Sequence, residues 1–380
     1  MPYDVAVVGL GAMGSMTALE LARRGRRVIG FDRHRPPHAL GSSHGKSRII
    51  REAYFEHPMY VPLVQRAYAK WRALEQASGR RLLVPCGGLM IGPPQGTLVA
   101  GARRSAELHG IAYEELPPED ARRRWPMFRL APDEVALFEP RAGVVLPEAA
   151  IDAALELAIG SGLEAHFDEP VVAWDRSDPI RIRTAAGEYH ARRIVLALGP
   201  WMTSPLPGIR LPLEVARQLV FWYDTSEQRS ALGPDRMPVF LWEWSPSRYI
   251  YGFPDLGDGV KLAIHHEGRT TPPDTVSRAV GDGEDEEIRS VMRTRAPSLL
   301  GAGRRDASVC LYTNTPDQDF ILGAHPEDAR AVLVSPCSGH GFKFAPAIGE
   351  VVADWIDGRR SALDVGPLGL SRFPPGAAAG

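Results

Sequence analysis

Cysteine is scarce in this 380-residue chain, which has only Cys86, Cys310 and Cys337. An odd number without metal-ligand spacing excludes a disulfide framework and a zinc module, so a reducing cytoplasm is the expected compartment and no metal site is expected. Charge of one sign is lacking as well: the net charge of −2 gives no electrostatic case for nucleic acid or an anionic membrane. No run of about 18 apolar residues occurs, so no membrane-spanning helix is expected. The strand pattern Tyr3-Asp4-Val5-Ala6-Val7-Val8 starts at once, without a basic, apolar, small-residue signal ahead of it. Lysine is the last shortage. Of 44 basic residues only Lys46, Lys70, Lys261 and Lys343 are lysine, the rest arginine. Lysine is a compact charge whose pKa moves on burial, which a guanidinium cannot match. Each lysine is therefore a candidate for work that arginine does badly, although Lys70 sits on the polar face of Tyr68–Glu75 and reads as a surface residue.

What is present suits two domains, or one large α/β domain with an insertion. Residues 3–32 read as a βαβ unit. A strand runs into Gly9-Leu10-Gly11-Ala12-Met13-Gly14, a helix follows to about Arg24, and a second strand, Arg27 to Phe31, ends in Asp32. Glycines there allow a tight turn and close approach of a pyrophosphate to the helix N-terminus. Asp32, 18 residues past Gly14, is placed to accept from ribose hydroxyls. This predicts a dinucleotide and leaves NAD and FAD both open. Next comes Gly41-Ser42-Ser43-His44-Gly45-Lys46-Ser47-Arg48-Ile49-Ile50-Arg51, where Arg48 and Arg51 would share one face of a helical turn. Paired arginines are good carboxylate or phosphate ligands, and equally ordinary surface residues.

An amphipathic helix is expected from about Tyr60 to Glu75, strands at Cys86–Gly92, Leu137–Pro140 and Gly143–Leu146, and helices near 95–109, 117–124 and 149–160. A meander (Val171–Trp174, Ile180–Arg183, Glu188–His190) leads into the apolar run Ile194-Val195-Leu196-Ala197-Leu198, stopped by Gly199-Pro200-Trp201. FAD-binding Rossmann proteins have such a meander and return strand, and this resemblance favours FAD. From about 210 to 313 strands and aromatics dominate, with a helix near Glu284–Thr294. They read as an antiparallel sheet with its aromatics on one face, either over a ligand or as plain core. The tail from Phe373 is expected to be disordered. Near the end, the strand Ala331–Val334 runs into Ser338-Gly339-His340-Gly341-Phe342-Lys343-Phe344 and then a helical pattern through Ile348, Val351, Val352 and Trp355. Two glycines and a helix N-terminus make a seat for an anion, or simply a tight turn with a surface lysine.

Taken together, Gly9–Gly14, the run from Pro36-Pro37-His38 to Arg51, Tyr251-Gly252-Phe253-Pro254, Lys261 through His265, Cys310-Leu311-Tyr312 and Ser338 to Phe344 resemble the monomeric sarcosine oxidase and N-methyltryptophan oxidase family of flavin amine oxidases. The resemblance spans nearly the whole chain. It implies an α/β fold with a discontinuous FAD-binding, glutathione-reductase-like Rossmann domain (1–85, 145–212 and 314–380). A second, antiparallel-sheet substrate domain would comprise 86–144 and 213–313. It further implies that Cys310 carries FAD through a thioether to the flavin 8α-methyl. Arg51 and Lys343 would hold the substrate carboxylate, Gly339 would accept from the substrate amine, and Tyr251, His265, Tyr312 and His340 would line the pocket. Arg48 would lie by the flavin ring, and Lys261 would activate oxygen. Gly9, Gly11, Ala12, Met13, Gly14, Asp32, Ser43, His44, Val171, Gly199, Trp201, Gly339, Gly341, Phe342 and Lys343 would contact the cofactor.

The implied reaction is oxidative demethylation, sarcosine + O2 + H2O giving glycine, formaldehyde and H2O2, in a cytoplasmic monomer. N-methyl-L-tryptophan or a cyclic imino acid such as pipecolate or proline is the alternative substrate, and an NAD-linked dehydrogenase the alternative class. Trp242 and Trp244 either narrow the pocket or pack outward as core.

Overall fold

A computed structural model describes residues 1–204 and 209–374. Most of the tail expected to be disordered, residues 375–380, lies outside the described residues. Tyr3–Val8, the helix Ala12–Arg23 and Val28–Phe31 form the βαβ unit. Gly9 has φ +88, and a Cβ on Gly14 would lie 1.7 Å from Gly9 O. Only glycine lets the helix start this close under the strand. Tyr3–Val8 pairs in parallel with Val28–Phe31 on one side and with Glu188–Leu196 on the other. Glu164–His166 and Asp328–Ser335 extend the same eight-stranded sheet in parallel. Glu188–Leu196 is one continuous strand. Its first half closes the antiparallel meander against Ile180–Arg183, and its second half enters the parallel sheet.

The second sheet has nine strands. It is antiparallel apart from one parallel join, Val239–Ser245 on Gly88–Gly92. Period-2 alternation sends successive side chains to opposite faces. Leu241, Tyr251, Phe253, Lys261, His265, Cys310 and Tyr312 face one side, toward the first sheet. Phe221, Tyr223, Phe240, Trp242, Ile250 and Leu262 face the other, packed on Trp125, Phe128, Ile288, Met292 and Leu299. The aromatics therefore occupy both faces, because this sheet buries both, and the expectation of a single aromatic face is corrected. Trp242 is fully buried in the outer cluster, and its Nε1 donates to Glu134 at 2.9 Å. Trp244 packs on the same cluster, under Arg248. Neither tryptophan narrows the pocket. The register against Arg248–Phe253 shifts between Glu243 and Ser245, a β-bulge at Trp244.

A second correction concerns Arg48 and Arg51. Arg48–Ile50 is a strand, antiparallel to Gly143–Val145, so the two arginines share no helical face. The β-branched pair Ile49-Ile50 favours extended backbone.

Trp71, on the helix Val61–Ser78, ties the two ends of the chain together. It is fully buried, donates from Nε1 to Lys343 O at 2.8 Å, and stacks on Phe342 with centroids 6.0 Å apart. Trp71→Ala is expected to lower the unfolding free energy by about 3–5 kcal/mol, from the cavity and the orphaned carbonyl. Urea denaturation checks this, and a loss under about 1 kcal/mol would place the anchor elsewhere.

Candidate active site

One cavity of about 450 Å³ lies between the carboxyl ends of the parallel strands and the inner face of the second sheet. At one end it is lined by Gly9, Gly11, Ala12, Met13, Asp32, Ser43, Val171, Gly199 and Trp201, and at the other by Arg51, Tyr251, His265, Tyr312 and His340. Arg48, Lys261, Cys310, Gly339, Gly341, Phe342 and Lys343 also reach it. The structure therefore brings the expected residues to one cavity, except Gly14 and His44. Gly14 is consumed by the strand–helix contact. His44 is buried behind the wall, where its carbonyl accepts from Arg48 Nη2 at 2.5 Å.

The turn at 338–344 tolerates only glycine at two positions. Gly339 has φ +75, and a Cβ there would strike Tyr312 at 2.4 Å and His265 at 2.9 Å. A Cβ on Gly341 would lie 1.6 Å from Pro336 O. The chain then enters a 3-10 turn, Phe342–Phe344, ahead of the helix Ala345–Ile356. Lys343 thus sits inside the first turn, with Nζ donating to His340 O at 2.8 Å and to the Tyr54 hydroxyl at 3.2 Å. Tyr54 in turn meets His340 Nδ1 at 2.6 Å, while His340 Nε2 faces Gln318 O at 3.0 Å. A carbonyl only accepts, so Nε2 carries the ring proton and Nδ1 accepts from Tyr54. Burial lowers the His340 pKa to about 3, which keeps the ring neutral. Burial also brings Lys343 down to about 7, and the nearby Arg51 charge adds to the effect.

Sequence reasoning missed Tyr54 and Glu56. Arg51 Nη2 pairs with Glu56 Oε2 at 2.6 Å, and its guanidinium lies between the Tyr54 and Phe55 rings at 4.3 and 4.9 Å. Burial raises the Glu56 pKa, but Arg51 more than offsets this and holds it below the usual range. The only available signal was an acid shortly after an arginine in a loop, which by itself is commonplace.

Lys261 and Cys310 meet at the other face. A Cβ on Gly45 would lie 3.6 Å from Arg48, 3.7 Å from Cys310 Sγ and 3.8 Å from Lys261 Nζ. Lys261 Nζ donates to Gly45 O at 2.7 Å, Ser47 O at 2.9 Å and Ser47 Oγ at 3.0 Å. Burial pushes its pKa well below the usual value, and Arg48 adds like-charge repulsion. Three oxygens around Nζ offset part of that cost. Burial pushes the Cys310 thiol up, yet contact with His44 and the charges of Arg48 and Lys261 outweigh this and bring it down to about 7. Among the described residues no cluster of metal-binding side chains occurs, and no helix is long and apolar enough to cross a membrane.

The residues fit a flavin dinucleotide. Both Asp32 oxygens already accept backbone N–H groups, Leu10 at 2.7 Å and His34 at 3.0 Å, and the carboxylate lines the cavity with lone pairs to spare. Ser42 Oγ and His44 Nε2 are buried without a hydrogen-bond partner among the described residues. Residues 4–355 match the model of the FAD dependent oxidoreductase family. Monomeric sarcosine oxidase of Streptomyces avermitilis is 40% identical over 358 residues, 93% of each chain. N-methyl-L-tryptophan oxidase of Yersinia pestis is 34% identical over 376 residues, 98% of this chain and 100% of the relative. Among solved structures, NikD, an unusual amino acid oxidase essential for nikkomycin biosynthesis, superposes in its open form with a TM-score of 0.82 at 25% identity, covering 97% of each chain. L-proline dehydrogenase from P. horikoshii shares the fold at a TM-score of 0.85 and 21% identity, covering 98% of each chain.

With burial bringing Lys343 down to about 7, a carboxylate seated beside it is expected to hold its proton in place, so that affinity falls as pH rises through about 7. Lys343→Met should abolish that limb. Titration of a small carboxylate followed by flavin absorbance checks this, and a flat profile in the unsubstituted protein would sink it.

Proposed function

The chain belongs to the FAD dependent oxidoreductase family and, with monomeric sarcosine oxidase and N-methyl-L-tryptophan oxidase, to its amino-acid oxidases; on that footing we propose that it oxidatively demethylates a small N-methyl amino acid, sarcosine first among them. One observation carries the reading: Arg51 and Lys343 stand at one end of a cavity whose other wall holds Lys261 and Cys310. Family membership removes the NAD-linked dehydrogenase alternative. Bound FAD would supply the two-electron redox chemistry for oxidising the N-methyl group, with O2 as final acceptor giving H2O2 and water hydrolysing the resulting imine to amino acid and formaldehyde.

The chain's own residues supply placement. Arg51 and Lys343 take the carboxylate, and truncating either partner of such a desolvated pair costs about 2–5 kcal/mol. Gly339 O is the acceptor for the substrate amine. Burial drives the His265 pKa well below its usual value and raises that of Tyr312, while Tyr251 rises to about 12. With these groups neutral near pH 7, the charges of Arg51 and Lys343 orient the substrate one way round, leaving its methyl group toward the flavin side. Lys261 contributes a fixed ammonium where negative charge develops on oxygen. Arg48, bonded to Ser42 O, Ser47 O and His44 O, holds the 42–48 segment in shape beside Cys310. Gly9, Gly11, Ala12, Met13, Asp32, Ser43 and Trp201 would hold the dinucleotide.

The two large sheets support the division into a discontinuous FAD domain (1–85, 145–212 and 314–380) and a substrate domain (86–144 and 213–313), except that the strand Gly143–Val145 pairs with Arg48–Ile50 and Leu83–Pro85 on the FAD side. Three free cysteines suit a reducing cytoplasm, and the monomeric state follows the family resemblance. A peroxide assay across sarcosine, N,N-dimethylglycine, N-methyltryptophan, proline and pipecolate tests the substrate. Sarcosine should give the highest kcat/KM, and a preference for pipecolate or N-methyltryptophan would overturn that assignment. Covalent attachment through Cys310 predicts that acid precipitation leaves the yellow colour with the protein and that Cys310→Ser releases it. Complete release from the unsubstituted protein would refute the linkage.

A further inference from the structure

A buried carboxylate that lines no part of the cavity lies behind the Arg51 segment. Glu139 ends the strand Val135–Glu139, opposite Gly88 in the second sheet, and is 0% exposed. Its Oε1 accepts the N–H of Glu52 at 2.7 Å, and its Oε2 the N–H of Ala53 at 2.8 Å. The carbonyl of Ala53 in turn accepts from Arg51 Nη1 at 2.8 Å. The next residue, Tyr54, is held by Ser105, whose Oγ donates to Tyr54 O at 2.5 Å.

Burying a carboxylate is costly unless its bonds return the loss. Here the two adjacent N–H donors meet one carboxylate oxygen each. Glutamate supplies both, whereas glutamine would turn an N–H₂ against one of the donors. The clamp therefore fixes the backbone from which the Arg51 guanidinium and the Tyr54 hydroxyl project, and Tyr54 is the partner of Lys343.

We propose that Glu139 is a positioning residue for substrate recognition, setting from behind the place of the Arg51–Tyr54 turn that receives the carboxylate. This rests on the reading of Arg51 and Lys343 as the carboxylate seat. The charged and titratable groups facing Glu139 are Arg51 and Glu52 on the clamped segment, Tyr68 on the helix Val61–Ser78, and Arg141 just beyond the strand, 3.0 Å from Glu52. Burial pushes the Glu139 carboxyl up to about 7, against the lowering effect of the two backbone N–H groups and Arg51. Protonation would set an O–H against one of those N–H donors and loosen the turn. KM for a carboxylate substrate should accordingly rise on the acid side, opposite to the limb set by Lys343.

The test compares steady-state kinetics of holoenzyme carrying Glu139→Gln with the unsubstituted enzyme, using sarcosine and its carboxamide across pH. The expected result is a sarcosine KM raised about tenfold with kcat little changed, no comparable change for the carboxamide, and loss of the acid limb. An unchanged sarcosine KM, or an equal effect on both compounds, overturns the proposal. Should Glu139→Gln fail to fold, Glu139→Asp keeps the charge but withdraws it by one methylene, and the same selective rise in KM decides. Arg51→Ala separates the two readings. If it leaves the sarcosine KM unaltered, the carboxylate seat itself is wrong. If it raises KM while the Glu139 variants do not, only the clamp is wrong.

Discussion

A cation taken out of water must be given oxygen in exchange, and much of this structure serves that requirement. Arg48, Arg51, Lys261 and Lys343 all border one cavity. Lys261 is met by Gly45 O, Ser47 O and Ser47 Oγ, and Arg48 by Ser42 O, His44 O and the same Ser47 O. Arg51 is met by Glu56 and Ala53 O, and Lys343 by His340 O and Tyr54. The loops are shaped by these obligations. The 42–48 segment curls so that its carbonyls point inward, and positive φ at Gly45 and Gly339 lets the backbone come that close.

The two ends of the cavity differ in how their charge is balanced. Around Lys261 the acceptors are neutral. Around Arg51 a carboxylate is already present, and burial brings Lys343 down to about 7. The Arg51 end is thus nearer to charge balance.

Much of this was legible in the sequence, for reasons that differ by element. The βαβ unit was readable because glycine spacing, strand and acid all lie within one short stretch. Lys261 and Lys343 stood out because lysine is rare in an arginine-rich chain. The helical pairing of Arg48 with Arg51 was misread because β-branched Ile49-Ile50 and pairing with Gly143–Val145 override residue spacing. Tyr54, Glu56 and Glu139 were invisible for a related reason. Glu139 acts only when strand Val135–Glu139 is laid against the 51–54 turn, and Tyr54 only when residues 338–344 come beside it, contacts that no local pattern announces, while the Arg51–Glu56 pair is local but commonplace in sequence. The facing of Trp242 and Trp244 likewise depended on register, which a run of aromatics on a sheet buried on both sides does not reveal.

That register has an evolutionary corollary. Along Val239–Ser245 the wall of the cavity is built by Leu241, and its neighbour Trp242 points the opposite way. An insertion or deletion of one residue before this point would exchange them, replacing a leucine by a tryptophan at the substrate in one step and turning the rest of the strand with it. The bulge at Trp244 shows how the fold absorbs an odd residue without that exchange, taking up the slack past the wall. Pocket shape on this side can therefore change by whole side-chain swaps as well as by point substitution. A bulge sliding toward Leu241 would place a different side chain on the cavity wall.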